Sequence, residues 1–172
     1  KEIVKRKEIE EQLSELANKD SLTHIFNRRK IEYICEAEIE RNKRYNNNLS
    51  IIFFDINDFK IINDTLGHHL GDDVLIKISS IIQKNIRNID FIGRWGGDEF
   101  LIVLPETNLS QCKSIVSHLK NLLSEIYFTD SLKVTCSFGI AECQENDTLD
   151  SLLKKADESM YQKKSHHKKI KN

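Results

Sequence analysis

The fold of this chain is decided by the stretch RWGGDEF, which occupies residues 94–100. Two apolar runs, residues 89–95 and 100–104, flank its glycines, and each has the length of a strand. We predict a β-hairpin with Gly96 and Gly97 in the turn, because glycine readily takes the positive φ that primed turns need. The two carboxylates that follow repel each other unless solvent, a cation or a base lies between them. Taken alone, the stretch is interpreted as a solvated acidic turn.

A second acidic position, further upstream, changes that interpretation. Residues 49–54 predict a buried strand, and Asp55 falls at its C-terminal end. A carboxylate there cannot join the core, but it can face a carboxylate of a neighbouring strand. Two carboxylates from two strands, with backbone carbonyls nearby, make an oxygen-rich site that suits Mg²⁺ and phosphate chemistry. The sequence therefore indicates a metal site between Asp55 and the acidic hairpin.

Several motifs occur in a fixed order along the chain. They are FDINDFK at 54–60, ND at 63–64, GH at 67–68, GD at 71–72 and GGDEF at 96–100. This series resembles the GGDEF family of diguanylate cyclases, bacterial enzymes that join two GTP molecules into cyclic di-GMP, and the resemblance extends over residues 20–168. It implies an α/β (α+β) fold, in which helices surround a central, mostly antiparallel, five-stranded sheet like the palm of nucleotidyl cyclases and polymerases. An N-terminal signalling helix would precede this domain.

The resemblance also implies a role for each motif residue. The catalytic residues would be Asp55, Asp98 and Glu99, and these three, with the Ile56 carbonyl, would hold Mg²⁺ or Mn²⁺; the sequence does not separate base from ligand. The implied GTP-binding residues are Asp58, Phe59, Lys60, Asn63, Asp72, Gly96, Gly97, Lys164 and Lys168.

Two of the implied GTP-binding residues would read the base. The amide of Asn63 and the carboxylate of Asp72 match the O6, N1–H and N2–H₂ pattern of guanine, whereas adenine presents the wrong donors. At two other positions the chain departs from the family pattern. Asn57 stands where aspartate is often found, and Lys168 keeps the charge of an arginine without its bidentate geometry. Weaker triphosphate binding is the expected consequence of the lysine.

The motif RNID at residues 87–90 precedes Gly96 by five intervening residues. It resembles the family's inhibitory site, where cyclic di-GMP binds to an arginine and an aspartate, here Arg87 and Asp90. An arginine can fork onto a phosphate, and an aspartate can accept from a guanine amine. The pattern is common, however, and its usual meaning is a surface salt bridge. His118 stands where the family often supplies a further arginine, which leaves the strength of product inhibition open.

The first 19 residues are highly charged, with Ile9, Leu13 and Leu16 on one helical face. They are interpreted either as a solvated helix or as the tail of a signalling helix that pairs with a second copy. We expect the second, which divides the chain into a linker helix, residues 1–19, and a catalytic domain, residues 20–172. Asp20 or Ser21 is predicted to cap the next helix.

In family terms, Asn27 and Arg28 belong to the junction between the linker helix and the catalytic domain rather than to the chemistry.

Composition limits the classes of partner. The net charge of −1 gives no field that would gather nucleic acid, and no apolar run approaches the length of a membrane span. Four cysteines without CxxC spacing predict buried free thiols in a reducing compartment. We therefore expect a cytoplasmic domain, consistent with the output domain of a larger, membrane-anchored or soluble sensor protein.

The implied reaction is attack by the 3′-hydroxyl of one GTP on the α-phosphate of another, repeated by the partner, with release of pyrophosphate. Each half-site holds one GTP, so a homodimer is required. The alternative is a non-catalytic module that binds GTP or cyclic di-GMP, which a broken GGDEF or a missing Asp55 would favour. A domain that mainly dimerises, and a cyclase of different base choice, are further alternatives; the intact site and Asp72 argue against them.

Overall fold

The protein is described here from a computed structural model. It covers the backbone of residues 2–170 and the side chains of residues 3–7 and 13–160. The side chains of Ile9, Lys164 and Lys168, which the sequence singled out, lie outside the described residues.

The described residues form six helices and four strands. In order they are α1 (Glu2–Asn18), α2 (Arg28–Tyr45), β1 (Leu49–Ile56), α3 (Phe59–Leu66), α4 (His68–Asn85), β2 (Phe91–Gly96), β3 (Glu99–Pro105), α5 (Leu109–Ser124), β4 (Cys136–Glu142) and α6 (Leu149–Ile170).

The strands form one antiparallel sheet in the order β2-β3-β1-β4. Five strands were expected, and the described residues contain four, so that prediction is wrong. Between α5 and β4 the chain makes a single isolated bridge, Tyr127 with Lys133, closed by a hydrogen bond from the Phe128 N–H to the Leu132 carbonyl. Ladder pairing with β1 ends at Ile56, opposite Cys136, so the residues before Cys136 have no strand edge to join.

Alternation along β1 divides the core between the two faces of the sheet. Ile52, Phe54 and Ile56 point to the face covered by α4 and α5, whereas Ile51 and Phe53 point to the face covered by α2 and α6. On the first face the Phe54 ring stacks on rings of β3 and β4 at centroid distances of 4.9 and 5.1 Å. The central strand is thus buried on both sides, as its apolar sequence predicts.

Two glycines allow α2 and α6 to approach the second face closely. A Cβ on Gly93 would lie 2.5 Å from the Ile31 Cβ in α2, and one on Gly139 would lie 1.9 Å from the Ala156 carbonyl oxygen in α6. These contacts set how near both helices lie to the end of the sheet that carries Asp55.

The start of α2 differs from the sequence prediction. Asn27, not Asp20 or Ser21, is the N-cap, and its side chain accepts a hydrogen bond from the Lys30 N–H. Asp20 instead accepts from the N–H and hydroxyl of Thr23 at 2.9 and 2.7 Å, in a turn that precedes the helix. Within the described residues, no helix combines the length and the apolar character that crossing a bilayer requires.

Candidate active site

The predicted hairpin is present, but its turn lies one residue later than expected. Gly96 pairs with Glu99, so the two residues at the tip are Gly97 and Asp98. Neither Gly96 nor Gly97 has a positive φ; among described glycines that conformation occurs at Gly67. A register shift between Arg94 and Gly96 moves the pairing along, and the Arg94 Nε and Nη2 donate to the Gly97 carbonyl at 3.0 and 2.7 Å. The register shift and the Arg94 side chain therefore shape the turn, and neither of its glycines takes a left-handed conformation.

Strand register brings the predicted carboxylates together. Asp55 lies directly opposite Glu99 on one side and Ser137 on the other, and side chains opposite each other share a face of the sheet. Asp98 is fixed beside them, because the Ile56 N–H donates to the Asp98 carbonyl at 3.2 Å. Asp55, Asp98 and Glu99 are all partly buried, between the core and open solvent.

The carboxylates of this cluster lie close enough to repel one another. Burial raises the pKa of Glu99, and the carboxylates of Asp98, Asp55 and Asp157 raise it further, while Arg28 opposes the shift. A divalent cation would relieve such repulsion, and carboxylate and carbonyl oxygens are the donors that Mg²⁺ and Mn²⁺ prefer. Among the described side chains no three His, Cys, Asp or Glu residues converge as a ready metal-binding group. The charge and the oxygen donors of the site therefore suit a divalent cation, although the described side chains do not form a preformed ligand cage.

The segment after β1 turns into a short helix. This helix, α3, begins at Phe59 and ends at Leu66. Asp58 precedes it in the left-handed region, at φ 57°. The side chains of Asp58 and Lys60 are exposed and that of Phe59 is partly buried. The first amides of α3 therefore follow directly from the strand that carries Asp55.

The two residues expected to read guanine lie close together where α3 meets α4. A Cβ placed on Gly71 would be 1.8 Å from the Asn63 Oδ1, so the Asn63 amide rests on the backbone of Gly71, next to Asp72. Asp72 itself is exposed. The sequence places Gly71 in a GD motif but gives no sign that its missing side chain makes room for the Asn63 amide.

Arg87 and Asp90 lie at the opposite end of β2 and bind each other. The Asp90 carboxylate is 1% exposed and accepts from the Arg87 backbone N–H, Nε and Nη2, the shortest bond being 2.7 Å. The Arg87 Nη2 also donates to the Pro105 carbonyl and the Thr107 hydroxyl. Asp90 raises the pKa of the Arg87 guanidinium, first through the hydrogen bond. This geometry matches the salt-bridge interpretation of the motif more closely than an open ligand site.

Most of the chain matches a known protein family. The family described as "Diguanylate cyclase, GGDEF domain" matches residues 17–169. The chain belongs to the GGDEF diguanylate cyclase family.

Curated relatives align with most of this chain at identities of 31% and 38% over the aligned residues. The response regulator PleD of Caulobacter vibrioides is 38% identical over 157 residues, which are 88% of this chain and 35% of PleD. The diguanylate cyclase DgcM of Escherichia coli is 31% identical over 164 residues, which are 95% of this chain and 40% of DgcM. This chain thus spans less than half the length of either relative.

Solved structures give the same family. The coiled coil and GGDEF domain of DgcB from Caulobacter crescentus, in complex with c-di-GMP, has a TM-score of 0.89 at 25% identity, covering 96% of this chain and 90% of that one. The active GGEEF domain of a diguanylate cyclase from Vibrio cholerae has a TM-score of 0.77 at 31% identity, covering 81% of this chain and 91% of that one.

The junction between α1 and the rest of this GGDEF domain is held by backbone carbonyls at the end of α1. Side chains of Asn27 and Arg29 donate to the Ala17 carbonyl at 3.0 and 2.7 Å. Arg94 joins this junction to the acidic turn, since its Nη1 donates to Asp20 at 3.2 Å while the other nitrogens hold Gly97.

Arg28 differs from the junction role expected for it. Its guanidinium lies over the Trp95 ring at 4.5 Å and pairs with Glu32 at 2.9 Å, next to the GGDEF turn. The sequence did not show that Arg28 would lie beside Trp95.

Proposed function

We propose that this chain is a diguanylate cyclase domain that condenses two GTP molecules into cyclic di-GMP and pyrophosphate. The observation that carries the proposal is the register of β1 and β3, which sets Asp55 opposite Glu99 and beside Asp98. Structural neighbours at TM-scores of 0.77 to 0.89, one bound to c-di-GMP and one called active, support it. Because this chain spans part of the length of its curated relatives, the proposal concerns the domain's own chemistry.

Asp55, the Ile56 carbonyl, Asp98 and Glu99 would hold one or two divalent cations, Mg²⁺ or Mn²⁺. When bound, such a cation lowers the pKa of the attacking 3′-hydroxyl and offsets the charge that develops at the α-phosphate. Asp98 and Glu99 are the carboxylates available to accept the hydroxyl proton. Trp95 and the apolar residues behind the turn exclude water from one side of this cluster, where Phe53 packs edge-on against Trp95 at 6.1 Å.

The remaining predicted residues would bind the nucleotide. The amides of Asp58 and Phe59 at the start of α3, with Lys60, would receive the triphosphate. Asn63 and Asp72 would read the guanine edge. Gly96 and Gly97, which leave the hairpin surface without side chains, would let the nucleotide approach the backbone. Lys164 and Lys168 are proposed as further phosphate contacts.

Catalysis in this proposal requires a homodimer, because each domain offers one half-site. The helix α1 would supply the contact, since Leu13 and Leu16 are 60% and 81% exposed on it. Arg87 and Asp90 would bind cyclic di-GMP as an inhibitor only after their mutual ion pair opens, so we expect weak product inhibition. We place the domain in the cytoplasm, where GTP is available.

The test is incubation of the purified chain with GTP and Mg²⁺, with products identified by mass. A coiled coil fused before Lys1 supplies the dimer, so an inactive monomer does not obscure the result. We expect cyclic di-GMP from the parent and from the exposed-site control Asp130→Ala, and none from Asp98→Ala or Asp55→Ala. A forced dimer that binds GTP and makes no product would overturn the enzyme proposal in favour of a binding module.

A further inference from the structure

The segment that joins β1 to α3 is anchored by the side chain of Asn57. The Asn57 backbone N–H donates to the Thr135 carbonyl at 2.8 Å, and its Nδ2 donates to the Thr135 hydroxyl at 2.9 Å. Its Oδ1 accepts from the Ser137 hydroxyl at 2.6 Å. Both ends of one amide are therefore bonded to residues at the start of β4, about eighty positions away in the sequence.

The residue after Asn57 needs such an anchor. Asp58 adopts φ 57°, and its side chain makes no capping hydrogen bond to α3. Left-handed backbone at a residue with a Cβ is uncommon and persists where the surroundings fix it. On the far side the Ile62 N–H donates to the Asp58 carbonyl at 3.0 Å, so the strained residue is held from both directions.

Packing of this segment comes from Phe59, which is partly buried against the core. Asp58 and Lys60 are exposed, and Thr135 is exposed as well. Hydrogen bonds at such a surface add little to overall stability, since solvent competes for the same groups. Their effect is on conformation: they fix the direction in which the amides of Asp58 and Phe59 point.

Ser137 links this anchor to the carboxylate cluster. It lies opposite Asp55 in the ladder, and its hydroxyl holds Asn57 two residues further along. An amide at position 57 can donate to one hydroxyl and accept from the other while adding no negative charge near Asp55. The departure of Asn57 from the aspartate common in the family is compatible with this network.

We propose that Asn57, Thr135 and Ser137 are positioning residues that hold the triphosphate-binding amides in register with the carboxylate cluster. None of the three is assigned a contact with GTP. The inference rests on the proposed function, because the loop has to be a nucleotide site for its position to matter. It predicts that loosening the network weakens GTP binding much more than it slows the chemical step or destabilises the fold.

The experiment compares Ser137→Ala and Thr135→Val with the conservative variant Thr135→Ser, all in the dimer fused before Lys1. Thr135→Val keeps the shape and the backbone carbonyl but removes the hydroxyl. We expect the Kd and KM for GTP with Mg²⁺ to rise about fivefold in Ser137→Ala and Thr135→Val, the effect of one lost neutral hydrogen bond. We expect kcat to change by less than about twofold and Tm by less than about 3 °C. Thr135→Ser should match the parent.

A double variant, Asn57→Ala with Ser137→Ala, tests whether the residues act as one unit. Its KM should match that of Asn57→Ala alone, because Asn57→Ala already breaks the contact with Ser137 as well as the one with Thr135. Variants that lower Tm or kcat while KM stays at the parent value would overturn the positioning role. They would show that these residues only stabilise the fold. If the parent itself binds no GTP, the proposed function fails and this inference fails with it; a parent that binds normally beside unaffected variants refutes the inference alone.

Discussion

The two ends of the β2–β3 hairpin handle charge in opposite ways. At the open end a buried carboxylate, Asp90, is matched by the Arg87 guanidinium through several hydrogen bonds. At the turn end Asp98 and Glu99 lie beside Asp55, and burial, followed by the neighbouring carboxylates, raises the pKa of Glu99. At one end the charges are paired, whereas at the other the carboxylates crowd one another.

The difference shows how the same residue types separate into structural and binding roles. A carboxylate that is buried and paired stabilises the fold, and removing its partner leaves an uncompensated charge. Carboxylates that crowd one another at a partly exposed edge destabilise it slightly and favour a bound cation. Sequence motifs mark both ends equally, so the distinction comes from the contacts.

The largest effect is expected at the turn end. Asp98→Ala should lower cyclic di-GMP synthesis by at least about 100-fold, because the charge stabilisation a metal supplies is worth several kcal/mol. Its Tm should equal or exceed that of the parent, since one member of a repelling group is gone. Product assays and thermal unfolding on the same samples check both statements. A clear fall in Tm would mean that Asp98 is structural and would remove the contrast between the ends.

At the open end the expected effect is on stability. Asp90→Ala leaves Arg87 without its main partner and should lower the free energy of unfolding by about 2 kcal/mol, less than for a fully buried pair because Arg87 is half exposed. Denaturant titration measures this. Asp90→Asn, which retains an acceptor for the Arg87 N–H, is the control and should lose less. Unchanged stability in Asp90→Ala would show that the pair is no more than a surface salt bridge.

A third variant tests whether the contact between Gly71 and the Asn63 amide contributes to GTP binding. Gly71→Ala should displace the Asn63 amide, because the added Cβ would overlap its Oδ1, and the Kd for GTP should rise about fivefold. Asp73→Ala, on the exposed surface of the same helix turn, is the matched control. Calorimetric titration with GTP separates the two. Parent-like affinity in Gly71→Ala would exclude Asn63 from base recognition.

The smallest effect is expected for the ion pair between Asp20 and Arg94, which lies near the turn end. Burial acts to raise the pKa of Asp20, but hydrogen bonds from Thr23 and Arg94 outweigh it and lower the pKa below its usual value. The stabilisation is therefore complete above about pH 4 and is lost as the pH falls through the folded-state pKa.

Asp20→Asn should reduce the free energy of unfolding by less than about 1 kcal/mol at pH 6. The difference from the parent should shrink at pH 3, where the parent carboxyl begins to protonate. Denaturant titrations at both values give the comparison. A difference that does not depend on pH would mean that Asp20 acts through its neutral hydrogen bonds alone.

Much of the fold follows from periodicity in the sequence. The apolar runs that became β1, β2 and β3 predicted these strands within a few residues of their bounds. β4 begins at Cys136, and the described residues do not form the expected fifth strand. Apolar alternation predicts that a segment can form a strand, but it does not predict which strand the segment will pair with. Thr135 forms hydrogen bonds with Asn57 and does not take part in a ladder.

What the sequence determined by itself was the set of chemical groups and their order: adjacent carboxylates on a hairpin, a third carboxylate at a strand end, and an amide and a carboxylate near α3. These are local patterns, and local backbone preferences suffice to produce them. The tertiary structure decided the register that sets Asp55 between Glu99 and Ser137, and the pairing that occupies Arg87 with Asp90. It also placed Asn57 against β4. Such contacts join residues far apart in the chain or exclude solvent from a charge, and both depend on how the elements pack.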